Sequence, residues 1–262
     1  MKKFKKYFKV WWLLSKNSFA NVFYSKLFMA VFLTGKILRF AFFFAFIYFL
    51  VEGTKTLAGY SANEVLFFFL TCNIVDIIPQ FLFRSVYRFR SKVVSGKLDL
   101  TLVRPINPLF ISLMGEADVM DLITIPPLLI GTIYLAQFLN PTFIQSVYYI
   151  LLVVNGLILA TAFHIAVMAM GIIVLEVDHS ISIYRDIINL GKFPVDIYRQ
   201  PLGGILTFLI PIGVMITLPV KALIGLVSPI GVIAAFFFGA LVFFLSLRFW
   251  NFALTKYTSA SS

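Results

Sequence analysis

The sequence predicts an all-α polytopic membrane protein of about six transmembrane helices, and three observations carry that prediction. Of the 262 residues, 61% are hydrophobic and 31 are Phe, with a mean hydropathy of +0.97, far outside the range of soluble domains. The apolar segments run unbroken for about 20 residues instead of alternating over about 10, which fits helices and argues against a β-barrel. The net charge of +11 is patterned, because nearly all Lys and Arg flank the spans on one side. Basic charge in that position sets topology and meets anionic headgroups, so the lipid bilayer is the expected partner and nucleic acid is not. The single Cys72 excludes an intrachain disulfide and a CxxC metal site.

Residues 1–26 read as an amphipathic helix lying in the membrane interface. Phe4, Phe8, Trp11, Leu14 and Ser18 share one helical face; Lys2, Lys5, Lys9 and Lys16 share another. The apolar stretch Val10 to Leu14 is too short for a signal peptide, so the helix is expected to be retained. The first span is expected over Val31–Val51, with Lys36 and Arg39 reaching the headgroups at its inner end, and a nearly neutral outer loop follows.

The second span, Ala62–Phe83, carries Asp76 near its middle. A central Asp costs about 2.5–3.5 kcal/mol, while each Leu, Ile, Phe or Val returns about 0.3–0.6 kcal/mol, so insertion still wins. Asn73, Asp76 and Gln80 form one polar stripe, expected to face protein or a wet pathway.

The stretch Arg84 to Phe110 holds six basic residues against Asp99 and cannot sit in hydrocarbon; Gly96, Pro105 and Pro108 divide it into short pieces. The third span follows over Val119–Leu139, with Asp118 and Asp121 at its start as helix-capping carboxylates and partners for the basic loop. The fourth covers Val147–Leu175 and includes His164, read as an interhelical hydrogen-bonding group. Residues 176–201 read as a second cytoplasmic segment. The fifth apolar stretch, Leu202–Leu226, reads as a span with a broken or re-entrant piece, because Pro211, Pro219 and Lys221 interrupt it. The sixth span, Pro229–Phe249, is followed by a polar tail expected to be disordered. Both termini then fall inside, and only Lys55 and Lys221 of the 22 basic residues fall outside.

No catalytic constellation emerges. The pairs Gly35-Lys36, Gly96-Lys97 and Gly191-Lys192 lack the upstream Gly and following Ser/Thr of a phosphate-cradling loop, so no nucleotide cofactor is expected on this chain. Glu176, Asp178 and His179 are too close in sequence to converge on one metal ion, and a solvated loop explains them. A lipid-active enzyme would need a polar cluster beyond Asp118 and Asp121.

The run Gly96-Lys97-Leu98-Asp99, with Leu102 and Arg104-Pro105, resembles the G-x-L-D-x-x-L-x-R-P element of type-2 ABC transporter permeases. Phe193-Pro194, Ile197-Tyr198, Pro211 and Pro219 are similar to a second signature of that family. The resemblance covers nearly the whole chain and implies a single permease domain, 1–262, of an export system in the inner (plasma) membrane. It implies an ABC ATP-binding subunit that carries the ATP, and a second permease, identical or related. A short cytoplasmic helix within 84–110 would dock on the ATPase through Gly96, Lys97, Leu98, Asp99, Leu102, Arg104 and Pro105, while Asn73, Asp76 and Gln80 would line the translocation pathway. The competing reading is a stand-alone secondary transporter or channel using Asp76 as its ion-coupling carboxylate; the lack of inverted repeats weighs against it.

Overall fold

The computed structural model describes residues 2–23, 26–174 and 180–258. Among them the regular structure is helical, and five helices are long and apolar enough to cross a membrane. These are α2 (Lys26–Thr54), α3 (Ala62–Leu82), α7 (Val119–Gln137), α8 (Phe143–Ile173) and α12 (Pro229–Lys256). Helix α1 (Lys2–Phe23) precedes them. Three short helices, α4 (Phe89–Val94), α5 (Lys97–Leu102) and α6 (Pro108–Met114), fill the link from α3 to α7. The first of these helices begins at Lys26, and its candidate span covers Met29–Gly53.

Local chemistry fixes where the long helices start. At the head of α3 the Ser61 N–H donates to the Glu64 carboxylate at 2.7 Å. Thr142 and Gln145 cap α8 reciprocally, and Ser228 Oγ accepts from Gly231 N–H at 3.2 Å to open α12. Asp118 accepts from Met120 N–H at 2.9 Å and opens α7. Chain direction puts the Ser61, Thr142 and Ser228 caps at one end of the bundle and the Asp118 cap at the other. The second is termed here the basic end, since it carries Arg84 to Arg104.

Helix α3 is the axis of the fold. Inside its apolar window 78% of residues are buried, against 6% for α2. Within a bilayer such packing gains little from water exclusion and rests on dispersion and close fit. Phe43 stacks on Phe69 at 3.9 Å, with Phe40 and Phe44 edge-on at 5.5 and 5.8 Å, and these rings hold α2 on α3. Asn155 Nδ2 donates to Ala235 O at 3.0 Å and ties α8 to α12. Helix α7 stays continuous through Pro126 and Pro127.

The structure shows the paths of the segment after α8 and of the interrupted apolar stretch that follows it. Residues 175–179, and with them Glu176, Asp178 and His179, lie outside the described residues. Helix α9 (Ser180–Ile188) starts at the basic end, where Ile181 sits among Val86, Tyr87 and Phe89. It climbs beside α3: Tyr184 packs on His164 at 5.2 Å, and Cys72 Sγ faces Ile188 O at 3.5 Å. Beyond it Phe193 meets Phe43 at 5.7 Å, and Asp196 accepts from Tyr60 Oη at 2.8 Å at the far end. The mixed segment therefore runs the length of the bundle, and Arg199 joins Lys55 and Lys221 away from the basic end.

The apolar stretch after it turns back on itself. Helices α10 (Leu202–Leu209) and α11 (Gly213–Leu223) meet at 75°. Gly203 begins beside the Val195 and Tyr198 carbonyls, and Lys221 returns to Asp196 at 2.8 Å, so both ends of this hairpin lie at the far end. Much of each arm has wide, π-type turns. A Cβ on Gly156 would stand 2.7 Å from Met215 O, so the missing side chain lets α11 approach α8. Thr255 and Lys256, expected in the tail, belong to α12, and residues 259–262 lie outside the described set.

Asp196 is the clasp of the hairpin. Burial alone would raise its carboxyl, but the hydrogen bonds from Lys221 and Tyr60 outweigh burial and hold it below the usual carboxylate range. Stability from a depressed carboxyl is complete above the ordinary pKa of about 4 and fades as pH falls through the lower folded value. Since the Asp196 side chain is 42% exposed, Asp196→Asn should cost only about 1 kcal/mol. Thermal unfolding in detergent checks this, and the variant should lose the part of the acid destabilisation that begins below about pH 4.

Candidate functional site

Two regions bear on function, an arm at the basic end and a polar seam along α3. The arm is built by glycine and proline punctuation. Gly96, at φ 70°, adopts the left-handed conformation that ends α4 and starts α5, where a side chain would be strained. Asn107 Oδ1 then caps α6, accepting from Leu109 N–H at 2.8 Å and Phe110 N–H at 3.3 Å. Within α5, Leu98 is 1% exposed and seated in the main core, and Leu102 packs against the same cluster. The Asp99 carboxylate lies beside the Tyr257 phenol, and burial together with that carboxylate raises the phenol's pKa. Burial likewise lowers the Lys92 ammonium, which donates to Ser85 Oγ at 2.8 Å.

Helix α1 is fastened to this arm. Lys6 Nζ donates to Pro105 O at 3.1 Å, Asn107 N–H donates to Tyr7 Oη at 3.3 Å, and Tyr7 meets Phe110 edge-on at 4.7 Å. The face that α1 turns to the protein includes Tyr7, Trp11 and Ser15, with Trp11 on Phe81 at 6.4 Å, whereas Phe4 and Phe8 stay exposed.

The opposite side of α5 presents Lys97 and Leu100, with Val103 (80% exposed) and Arg104 just beyond it. Val94 adds a further exposed apolar side chain. The residues singled out by the motif thus divide. Leu98 and Leu102 anchor the arm, and Lys97, Arg104 and Pro105 lie on its outer surface. The motif did not point to Val94, Leu100 and Val103. Their signal was helical phase, since 97, 100 and 103–104 fall opposite 98 and 102.

Along α3, Asn73, Asp76 and Gln80 are all buried in protein. Asn73 Nδ2 donates to Phe69 O of its own helix at 2.7 Å. Asp76 is hydrogen-bonded by Gln80 and feels Arg185 of α9 through space, while its Oδ1 has no hydrogen-bond partner among the described residues. Of the stripe, Asp76 is the residue that the charge of α9 reaches, while Gln80 also lines a cavity with Lys36, Arg39 and Asp121. Toward the basic end a series of ion pairs closes the seam: Lys36–Asp121 at 2.6 Å, Arg84–Asp118 at 3.3 Å and Arg88–Glu116 at 2.9 Å. Asp118 and Arg84 are paired as expected, but Lys36 turns inward to Asp121 and does not reach for headgroups. His164 also departs from expectation: its Nδ1 lies 2.8 Å from Ala160 O of its own helix.

The division of α5 into an anchoring and a presenting face has a direct consequence. Leu98→Ala should destabilise the protein by about 2–4 kcal/mol through the cavity it leaves, whereas Val103→Asp should change stability by less than about 0.5 kcal/mol. Parallel thermal unfolding of the two purified variants measures the contrast.

A family model described as ABC-2 family transporter protein matches residues 37–261, from within α2 to beyond the end of α12. No curated protein and no solved structure matches the chain. The match takes in the basic arm, the polar seam of α3, the α9 crossing and the hairpin together. The chain belongs to the ABC-2 family of transporter proteins and is a multi-pass membrane protein, the permease of a type-2 ABC transporter.

Proposed function

We propose that this permease forms the translocation pathway of an export system and is driven through its basic arm by a separate ABC ATP-binding subunit. The observation that carries the reading is the outward face of the arm. Leu100 of α5 and Val103 just beyond it are exposed apolar side chains bracketed by Lys97 and Arg104, Val94 at the end of α4 adds a third, and the other face of α5 is anchored by Leu98. Apolar side chains ringed by charge mark a protein-docking surface. The basic end is then cytoplasmic, by the positive-inside bias, and α1 and the end of α12 both lie there. The membrane is the inner (plasma) membrane.

ATP sits on the partner, and this chain supplies no catalytic group or cofactor. Gly96 and Pro105 bound a stiff lever, and Leu98 passes its displacement to the core beneath. Because Lys6 and Tyr7 hold the arm, α1 moves with it. A second permease, identical or related, completes the pathway, and Asn73, Asp76 and Gln80 line it. Among the described residues Asp76 Oδ1 has no hydrogen-bond partner, which supports that role, since a purely structural buried carboxylate is normally fully bonded.

In vesicles with the ATP-binding subunit, Val103→Asp/Arg104→Glu should lower transport-stimulated ATP hydrolysis at least tenfold while insertion and thermal stability stay as in the parent. Parental coupling in that variant would reject the docking surface. Transport by this chain alone under a proton gradient, abolished by Asp76→Asn, would instead favour a stand-alone transporter.

A further inference from the structure

Between α1, α2, α7 and α9 at the basic end lies a polar cavity of about 610 Å³, within the range of small-molecule sites. Lys36, Arg39, Arg84, Arg88 and Arg185 line it, against only two lining carboxylates, Asp118 and Asp121. The three ion pairs already described, counting Glu116, account for Lys36, Arg84 and Arg88. Arg39 and Arg185 are left with no carboxylate at ion-pair distance among the described residues, and Arg185 Nε is buried without a hydrogen-bond partner. A buried guanidinium N–H is costly to leave unbonded, so the Arg185 Nε, with the exposed Arg39 at the same cavity, suits an anion.

The walls show which kind of anion. Ser18, at the inner end of α1, and Val31 and Phe32, in the first turns of α2, form the rim, so apolar surface adjoins the cationic floor. Gly35 also lines the cavity, and nothing stands within 4 Å of where its Cβ would be, which leaves the α2 wall open. Several guanidinium forks around one space suit a tetrahedral oxyanion with three or more acceptor oxygens better than a carboxylate, which one or two forks saturate. At the inner end Gln80 reaches from the cavity to Asp76, so the site opens onto the seam of α3.

We infer that this cavity binds a phosphate group, as the headgroup of an anionic amphiphile whose tail lies along Val31 and Phe32, and that it is the loading site of the permease. The inference rests on the pathway reading above and adds to it the chemical class of the cargo. Arg39 and Arg185 grip the phosphate oxygens, and the flanking ion pairs hold the remaining charges in place.

The test uses the full-length chain in a neutral maltoside detergent, without nucleotide or partner. Binding of dioctanoyl phosphatidic acid is compared with that of inorganic phosphate, octanoate and dioctanoylglycerol by titration calorimetry. Phosphatidic acid should bind saturably, and Arg39→Gln/Arg185→Gln should weaken it at least tenfold. The charge-matched control Lys5→Gln/Lys9→Gln, on α1, should weaken it less than twofold. Should the double variant fail to fold, Arg39→Gln alone, at an exposed position, should still weaken binding at least threefold. Phosphatidic acid binding more tightly than inorganic phosphate supports the amphiphile headgroup; equal binding would overturn the amphiphile and leave a site for free phosphate. Equal loss in the α1 control, no loss in the arginine variants, or equal binding of octanoate or dioctanoylglycerol would overturn it. Val103→Asp/Arg104→Glu should bind phosphatidic acid as the parent does, so failure of the docking surface and failure of this site are read separately.

Discussion

A carboxylate in the middle of α3 cannot face hydrocarbon, and the arrangement of the other helices follows from covering it. Asp76 is enclosed because α2, α7, α8 and α9 surround α3, leaving α3 mostly buried while α2 stays largely open. Arg185 acts on Asp76 only through space, and does so because α9 runs beside α3 at that depth. The polar seam is therefore the device that selects which segment lies against α3.

The two ends of the bundle solve different problems. At the far end Asp196 gathers Tyr60 and Lys221, and so joins the α2–α3 loop, the end of the α9 crossing and the returning arm of the hairpin. At the basic end the Arg84 to Phe110 link folds into short helices, each stopped by glycine, proline or a cap, and Leu98 pins them to the core. Helix α1 is bonded to that link through Lys6 and Tyr7, so the interfacial helix and the arm form one mechanical unit. A lever of this kind, hinged at Gly96 and anchored to the bundle by Leu98 and Leu102, suits the proposed transmission of force from a cytoplasmic subunit.

Much of this was legible along the chain. Continuous apolar runs located α2, α3, α7, α8 and α12, with the largest miss at the end of α12, which runs on from the expected Phe249 to Lys256, since each is long enough to satisfy its backbone and span hydrocarbon alone. The polar stripe at 73, 76 and 80 was visible as helical periodicity, and the pairing of Asp118 with Arg84 as proximity of charge to a helix start. Which residues of the arm face outward was not visible from the motif. Leu98 and Leu100 look alike in sequence, and only the docking of α5 on the core distinguishes them.

The fifth crossing marks the boundary between what sequence determined and what tertiary structure decided. Hydropathy weighs each segment as though lipid were its only neighbour, and on that measure Leu202–Leu226 outranks the charged stretch before it. In the folded protein α9 and the residues after it run between α2, α3 and α8. There Arg185 lies opposite Asp76, and Asp196 is bonded to Tyr60 and Lys221. The more apolar stretch has prolines near its middle and bends by 75°, so it returns to the end it came from. Composition determined that the chain lives in a membrane, which helices cross it unaided and which end is basic. The path of a segment that can cross only when its charges meet partners was decided by the assembled bundle, because those partners come from elements far away in sequence.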